Sequence, residues 1–275
     1  MERHLEWMRL RGMSPLTIQR RRAVLLRLRA ALPHGGLLAA SPAELQAWRA
    51  SLTVAPDAVA VYVSHVRRFY AWAVADGLLP ASPAATLPAP PRSWYLPRPI
   101  GEQELLEAVA AAPPRIRPWL VLAGWAGLRA KEIALLRREH VLDSRNPPVL
   151  LVAAGATKGH HERLVPLSDF ALAELGPHLP ARGWVFPRLD GQLGPNTPAR
   201  VSQAANRHLH DCGIPETLHQ LRHSALTHDA EAGASTPMLM AKSGHTSVAS
   251  LARYARPSAE ALARWQERND PARRR

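Results

Sequence analysis

The 275-residue chain has one cysteine, Cys212, and three lysines, Lys131, Lys158 and Lys242; aromatic residues make up only 5 % of it. A single thiol cannot close an internal disulfide, and it leaves no Cys-x-x-Cys zinc motif. Nothing beside Cys212 would activate it, so it reads as a small packing residue. No apolar run approaches the roughly 18 residues of a membrane span. The first residues, MERHLEWMRLRG, lack the apolar stretch of a signal peptide. The expectation is a soluble, cytoplasmic protein with no membrane partner.

What is abundant is arginine. Lys+Arg total 35 against 22 Asp+Glu, a net charge of +13, and all but three of the cations are arginine. Such an excess points to a polyanion, nucleic acid first and an anionic membrane surface second. The abundance of Ala, Pro and Leu leaves a GC-rich coding bias open as a further source of the arginine. Hydrophobic residues reach 47 %, enough for a sizeable core.

Proline and small residues crowd the stretch from Leu79 to Pro99. Proline removes backbone donors and stops helices, so this stretch reads as an extended connector. The reading divides the chain into a helical domain, 1–85, a linker, 86–99, and a second domain, 100–275. In the first domain Ser14-Pro15 and Ser41-Pro42-Ala43-Glu44 carry helix-start chemistry. Ile18, Leu25, Leu28 and Leu32 recur at helical spacing, with Arg20, Arg21 and Arg27 assigned to the surface. A longer helix from near Pro56 carries the apolar stripe Val59, Val63, Val66, Tyr70 and Ala73, with Arg67 and Arg68 off it. A helical bundle with solvated arginines and a helical DNA clamp both fit this pattern.

The second domain reads as mainly helical with a small sheet. Helices are expected over 103–111, over 118–125 and from Ala130 through KEIALLRRE. Strands are expected at Val149–Val152 and Arg163–Pro166, with Thr157-Lys158-Gly159 in the turn between them. A further helix is expected over 259–267.

Four segments carry the chemistry: Ala126-Gly127-Leu128-Arg129-Ala-Lys-Glu132-Ile133; Thr157-Lys158-Gly159; His219-Gln-Leu221-Arg222-His223; and Gly244-His245 with Tyr254 nine residues on. His219 and Arg222, three apart, share a helix face. His219 and His223 also have helical metal-pair spacing, but Gln220 stands where a metallopeptidase helix has glutamate, so no metal is expected. Planar guanidinium forks suit phosphoryl oxygens, which makes Arg129 and Arg222 a pair able to stabilise a phosphorane.

In order and spacing these segments resemble the catalytic boxes of the tyrosine recombinases, the phage integrase family. Ser14-Pro-x-Thr17 and Arg68-Phe-Tyr-x-Trp72 are similar to that family's core-binding domain. The resemblance implies a mainly helical fold with a small β-sheet: a helical core-binding domain and a mixed α+β catalytic domain, forming a C-shaped DNA clamp. It implies a site-specific recombinase that cuts and rejoins DNA through a 3′-phosphotyrosine and a Holliday junction, in integration, excision or resolution. Tyr254 is then the nucleophile, Arg129, Arg222, His219 and His245 surround the phosphate, and Lys158 protonates the 5′-hydroxyl leaving group. Glu132 orients an active-site arginine or histidine. Arg20, Arg21, Arg67, Arg68 and Lys242 are the candidate DNA contacts. No cofactor is implied, because the phosphotyrosine stores the bond energy.

The implied partner is duplex DNA with paired inverted sites, bound by a homotetramer in a nucleoid-associated location, with an accessory or partner recombinase possible in some systems. The chain is similar to the compact Xer and Cre types, without an arm-binding domain. One departure is visible: the family's LLGH is Lys242-Ser243-Gly244-His245 here. Two other classes share part of the pattern. A type IB topoisomerase uses the same tyrosine chemistry to relax DNA, and a non-catalytic DNA-binding protein would account for the charge alone.

Overall fold

The computed structural model describes residues 1–33, 36–90, 99–157, 161–188, 194–251, 263 and 266–267, the side chains at 249 and 250 excepted. The chain forms two compact units, Met1–Tyr95 and Leu96–Arg275.

The first unit is built from α1 (Glu2–Leu10), α2 (Pro15–Ala31), α3 (Pro42–Ala50) and α4 (Pro56–Ala75). The helix starts follow the sequence chemistry. Ser14 Oγ accepts from Thr17 N at 3.2 Å. At α3, Ser41 and Glu44 close a capping box, with Ser41 N donating to Glu44 Oε2 at 2.7 Å. Three of these helices place proline in the first turn, where no amide proton is needed. The stripe Val59, Val63, Val66, Tyr70 and Ala73 is buried against α2. Ala84 and Leu87 are also buried in this core, and Arg67 Nη2 donates to Leu87 O at 2.6 Å. The proline-rich stretch thus begins as part of the packed unit.

One expectation is overturned here. Arg21, expected at the surface as a DNA contact, is 2 % exposed. Its Nε donates to His65 Nδ1 at 2.9 Å, and its Nη1 lies 3.2 Å from His4 Nε2. Position 21 falls on the side of α2 that meets α1 and α4, so an aliphatic stem and two imidazoles enclose the cation. Both rings are held neutral: burial first, then the Arg21 charge, pulls the His4 and His65 pKa values from 6.5 to about 4. His4 also packs on Phe69 and Trp72, with ring centroids 5.3 and 4.7 Å apart. Arg20, Arg67 and Arg68 remain exposed.

The second unit contains α5 (Glu102–Ala111), α6 (Arg117–Gly124), α7 (Ala130–Ala134), β1 (Val141–Leu142), β2 (Val149–Val152), β3 (Arg163–Pro166), α8 (Asp169–Leu175), α9 (Pro198–Asp211), α10 (Leu218–Glu231), α11 (Thr236–Ser243) and α12 (Val248–Leu251). The sheet is antiparallel in the order β1-β2-β3, with Val141 opposite Leu150 and Leu150 opposite Val165. Those three residues are buried and carry the sheet onto the helical core. Every residue of α6 after Arg117 is buried, and the helix packs along α10.

The helix expected through Glu139 stops at Ala134 instead. Beyond it the backbone pairs with a distant segment: Arg138 N donates to Gly183 O at 2.8 Å and Val185 N to Leu136 O at 3.0 Å. These bonds replace the helical ladder. Cys212, expected as a packing residue, is exposed at the end of α9. The expected helix over 259–267 lies outside the described residues except at 263, 266 and 267.

Candidate active site

The short helix α7 follows Leu128 and Arg129, and Glu132 sits at its third position. Glu132 reaches back to accept from Arg129 N at 2.8 Å, a helix-start contact that also fixes the carboxylate. The same carboxylate accepts from Arg129 Nη1 at 2.8 Å and from Arg163 Nη1 and Nη2 at 3.0 and 2.8 Å. Arg222 Nη1 stands 3.9 Å from its Oε2. The Glu132 side chain has no solvent exposure. Burial alone would push its pKa up, but hydrogen bonds and charge from Arg163, then Arg129 and Arg222, hold it below the usual carboxylate range. Three guanidinium groups minus one carboxylate leave this cluster at +2. That balance matches a phosphodiester, whose charge rises from −1 toward −2 when it is attacked.

Arg222 comes from α10 and is 2 % exposed. Its Nη1 donates to Gly127 O, and its Nη2 to Ser243 O at 2.6 Å. Arg163, on β3, donates from Nε to Lys242 O at 2.8 Å. Two arginines from different elements therefore meet the carbonyls at the end of α11. The turn there requires Gly244: its φ is +67°, and a Cβ would stand 3.1 Å from Arg163 Nη1. The fork of Arg129 is the more open one, with 27 % of its side chain exposed, against 8 % for Arg163.

The two histidines flank this cluster. His219 precedes Arg222 by one helical turn and packs edge-on against His223, centroids 4.4 Å apart. The residue after it, Gln220, caps the helix: its Oε1 accepts from Thr217 N at 2.8 Å. Gln220 therefore starts the helix, which accounts for its place between the two histidines. Burial, then Arg222 and Arg129, lowers the His219 pKa. His245, just past Gly244, is half-buried; burial, then Arg222, Arg129 and Arg163, brings its pKa from 6.5 to about 4. Its Nδ1 lies 2.7 Å from Ser243 Oγ.

Of the sequence-predicted residues, the structure thus brings Arg129, Glu132, Arg222, His219 and His245 into one region. Lys158 and Tyr254 lie outside the described residues. Lys242 is in the region, but its Nζ is engaged by Asp229 Oδ2 at 2.7 Å. Sequence reasoning missed two members. In the sequence Arg163 marks only the start of a strand, although it lies five residues beyond Lys158. In the sequence Ser243 stands out only as a departure from an apolar pattern. Among the described residues, no group of three or more His, Cys, Asp or Glu is placed to hold a metal.

Residues 101–261 match the model of the Phage integrase family. The chain is 29 % identical over 239 residues to tyrosine recombinase XerD of Caulobacter vibrioides, covering 79 % of this chain and 76 % of that one. In fold it is similar to a lambda integrase dimer bound to a COC′ core site, with a TM-score of 0.76, 18 % identity and 94 % of each chain covered. It is also similar to a lambda integrase tetramer bound to a Holliday junction, with a TM-score of 0.71, 18 % identity, and 90 % of this chain and 76 % of that one covered. The fold and the family match define a DNA strand-transferring enzyme class. The chain belongs to the phage integrase family and is a site-specific tyrosine recombinase of Xer-like sequence.

Proposed function

We propose that this protein exchanges strands between two DNA duplexes, using Tyr254 as nucleophile and the Arg129–Arg163–Arg222 cluster as its phosphate cradle. The observation that carries this reading is the buried Glu132 carboxylate with three guanidinium groups gathered around it. Charges held in this way need no rearrangement when a phosphorane forms.

In the proposed reaction the Tyr254 oxygen attacks the scissile phosphorus and the bond to the 5′-oxygen breaks. The products are a 3′-phosphotyrosyl link and a 5′-hydroxyl, which takes its proton from Lys158. His219, held neutral at pH 7, can take up the phenolic proton. Arg129, Arg222 and His245 contact the non-bridging oxygens; Arg163, both of whose Nη groups donate to Glu132, positions the others. The 5′-hydroxyl of the partner duplex then attacks the phosphotyrosine and releases Tyr254, so the number of phosphodiester bonds is unchanged. Two such rounds pass through a Holliday junction. The fold's likeness to a lambda integrase tetramer on such a junction supports a homotetramer as the working assembly. We assign residues 1–85 to the core-binding domain and 100–275 to the catalytic domain, with exposed Arg20, Arg67 and Arg68 on DNA phosphates.

The test is a nicked suicide duplex whose sequence is recovered by selection from a random library. A covalent protein–DNA adduct that forms with the native protein and is absent in Tyr254→Phe is the expected result. Binding without any adduct would refute the assignment. Relaxation of supercoiled plasmid without junction products would favour topoisomerase chemistry instead.

A further inference from the structure

His245 can serve a phosphoryl oxygen as a donor only through a ring nitrogen that carries a proton. At neutral pH the ring is uncharged and has a single N–H. Which nitrogen holds that proton therefore decides what His245 can do. Its Nδ1 faces Ser243 Oγ at 2.7 Å, and its own backbone N–H donates to the same oxygen at 3.3 Å. Ser243 has no solvent exposure.

We propose that Ser243 is a positioning residue: its buried hydroxyl donates to His245 Nδ1 and fixes the ring proton on Nε2, which then faces the phosphate as a donor. The opposite tautomer would send two N–H groups to one oxygen. The hydroxyl proton of Ser243 would then be buried with no acceptor among the described residues, and such orphaned donors are disfavoured. Ser243 also holds Arg222 through its carbonyl, at 2.6 Å. One residue thus sets the ring of His245 and the fork of Arg222 against each other. The apolar residue that the family pattern places at 243 has no hydroxyl, so this device belongs to the present chain.

The catalytic half of the proposal rests on the recombinase reading; the hydrogen bond does not. Side-chain ¹⁵N NMR of histidine-labelled full-length protein tests the bond without DNA, with His245 assigned by the signals missing in His245→Gln. The expected spectrum has Nε2 protonated and Nδ1 as an unprotonated acceptor. Ser243→Ala should move both signals toward a tautomer mixture, and Ser243→Thr should restore them. Protonated Nδ1 in the native protein, or identical spectra for native and Ser243→Ala, would overturn the proposal whether or not the variants are fully stable. On the selected suicide duplex, adduct formation in Ser243→Ala should slow by about tenfold, the scale of one lost hydrogen bond. Ser243→Thr should recover most of that rate. An unchanged rate in Ser243→Ala would overturn the catalytic half, while absence of an adduct in the native protein would instead refute the recombinase reading.

Discussion

Glu132 and Arg163 meet through two parallel hydrogen bonds, Nη1 to Oε1 at 3.0 Å and Nη2 to Oε2 at 2.8 Å, with the carboxylate wholly shielded from water. A fork-on-fork pair of this kind fixes direction as well as charge. It joins β3 to α7 and gives Arg129 and Arg222 a common counter-charge.

Breaking that pair from one side should be costly. Glu132→Gln leaves the cationic cluster without its counter-charge and should destabilise the second unit by about 3–5 kcal/mol. Urea unfolding followed by tryptophan fluorescence measures this loss. The double variant Glu132→Gln/Arg163→Met should recover part of the stability, because apolar replacement of a buried pair is far better tolerated than half of it. Activity should not return with it. Equal midpoints for Glu132→Gln and native protein would contradict the role assigned to the carboxylate.

Gly244→Ala should act on both backbone and site. A side chain at φ +67° costs about 1–2 kcal/mol, and the new methyl would press on Arg163. The expected result is a lower melting temperature together with slower adduct formation. A melting curve unchanged within error would show that the turn accommodates a side chain.

Acid should weaken the first unit before it affects the carboxylates. His4 and His65 have folded pKa values near 4 against 6.5 when unfolded. The unfolded chain therefore binds protons first as the pH falls. The stability these neutral rings contribute is complete above 6.5 and is lost progressively between 6.5 and 4. For fully buried His4 the loss by pH 5 is on the order of 1–2 kcal/mol. Urea midpoints at pH 7.5 and pH 5 should differ accordingly, and His4→Asn should flatten the difference. A midpoint independent of pH across this window would rule out the neutral imidazole pair.

Arginines of the first unit should separate into two behaviours. Arg20→Ala and Arg68→Ala should each weaken duplex binding and reduce the slope of log K against log salt by about one, with little change in melting temperature. Arg21→Met should lower the melting temperature and leave the salt slope alone. Fluorescence anisotropy with the selected duplex, across a salt series, distinguishes them; a slope change for Arg21→Met would return that residue to the DNA face.

These contrasts also mark where the sequence was readable. Ser14, Ser41 and the stripe from Val59 to Ala73 act within one helix, so caps and periodicity reveal them. Helical spacing pairs His219 with Arg222, and the resemblance to the recombinase boxes is what joins Arg129 and His245 to them. Arg163 and Glu132 are 31 residues apart, and neither has a local cue to the other; only the return of the hairpin toward α7 joins them. Arg21 sits beside exposed arginines in sequence, and its burial depends on His65, 44 residues away. The end of α7 follows the same logic, since the competing partner for Leu136 is Val185.

The anchors of Arg222 have a different implication for how this enzyme tolerates change. Two of its partners, the oxygens of Gly127 and Ser243, belong to the main chain and survive any exchange of side chains that preserves the local path. A lineage can therefore vary residue 243 and keep that guanidinium aimed, while the adjacent imidazole loses its guide. Drift at this one codon would alter the second contact and spare the first.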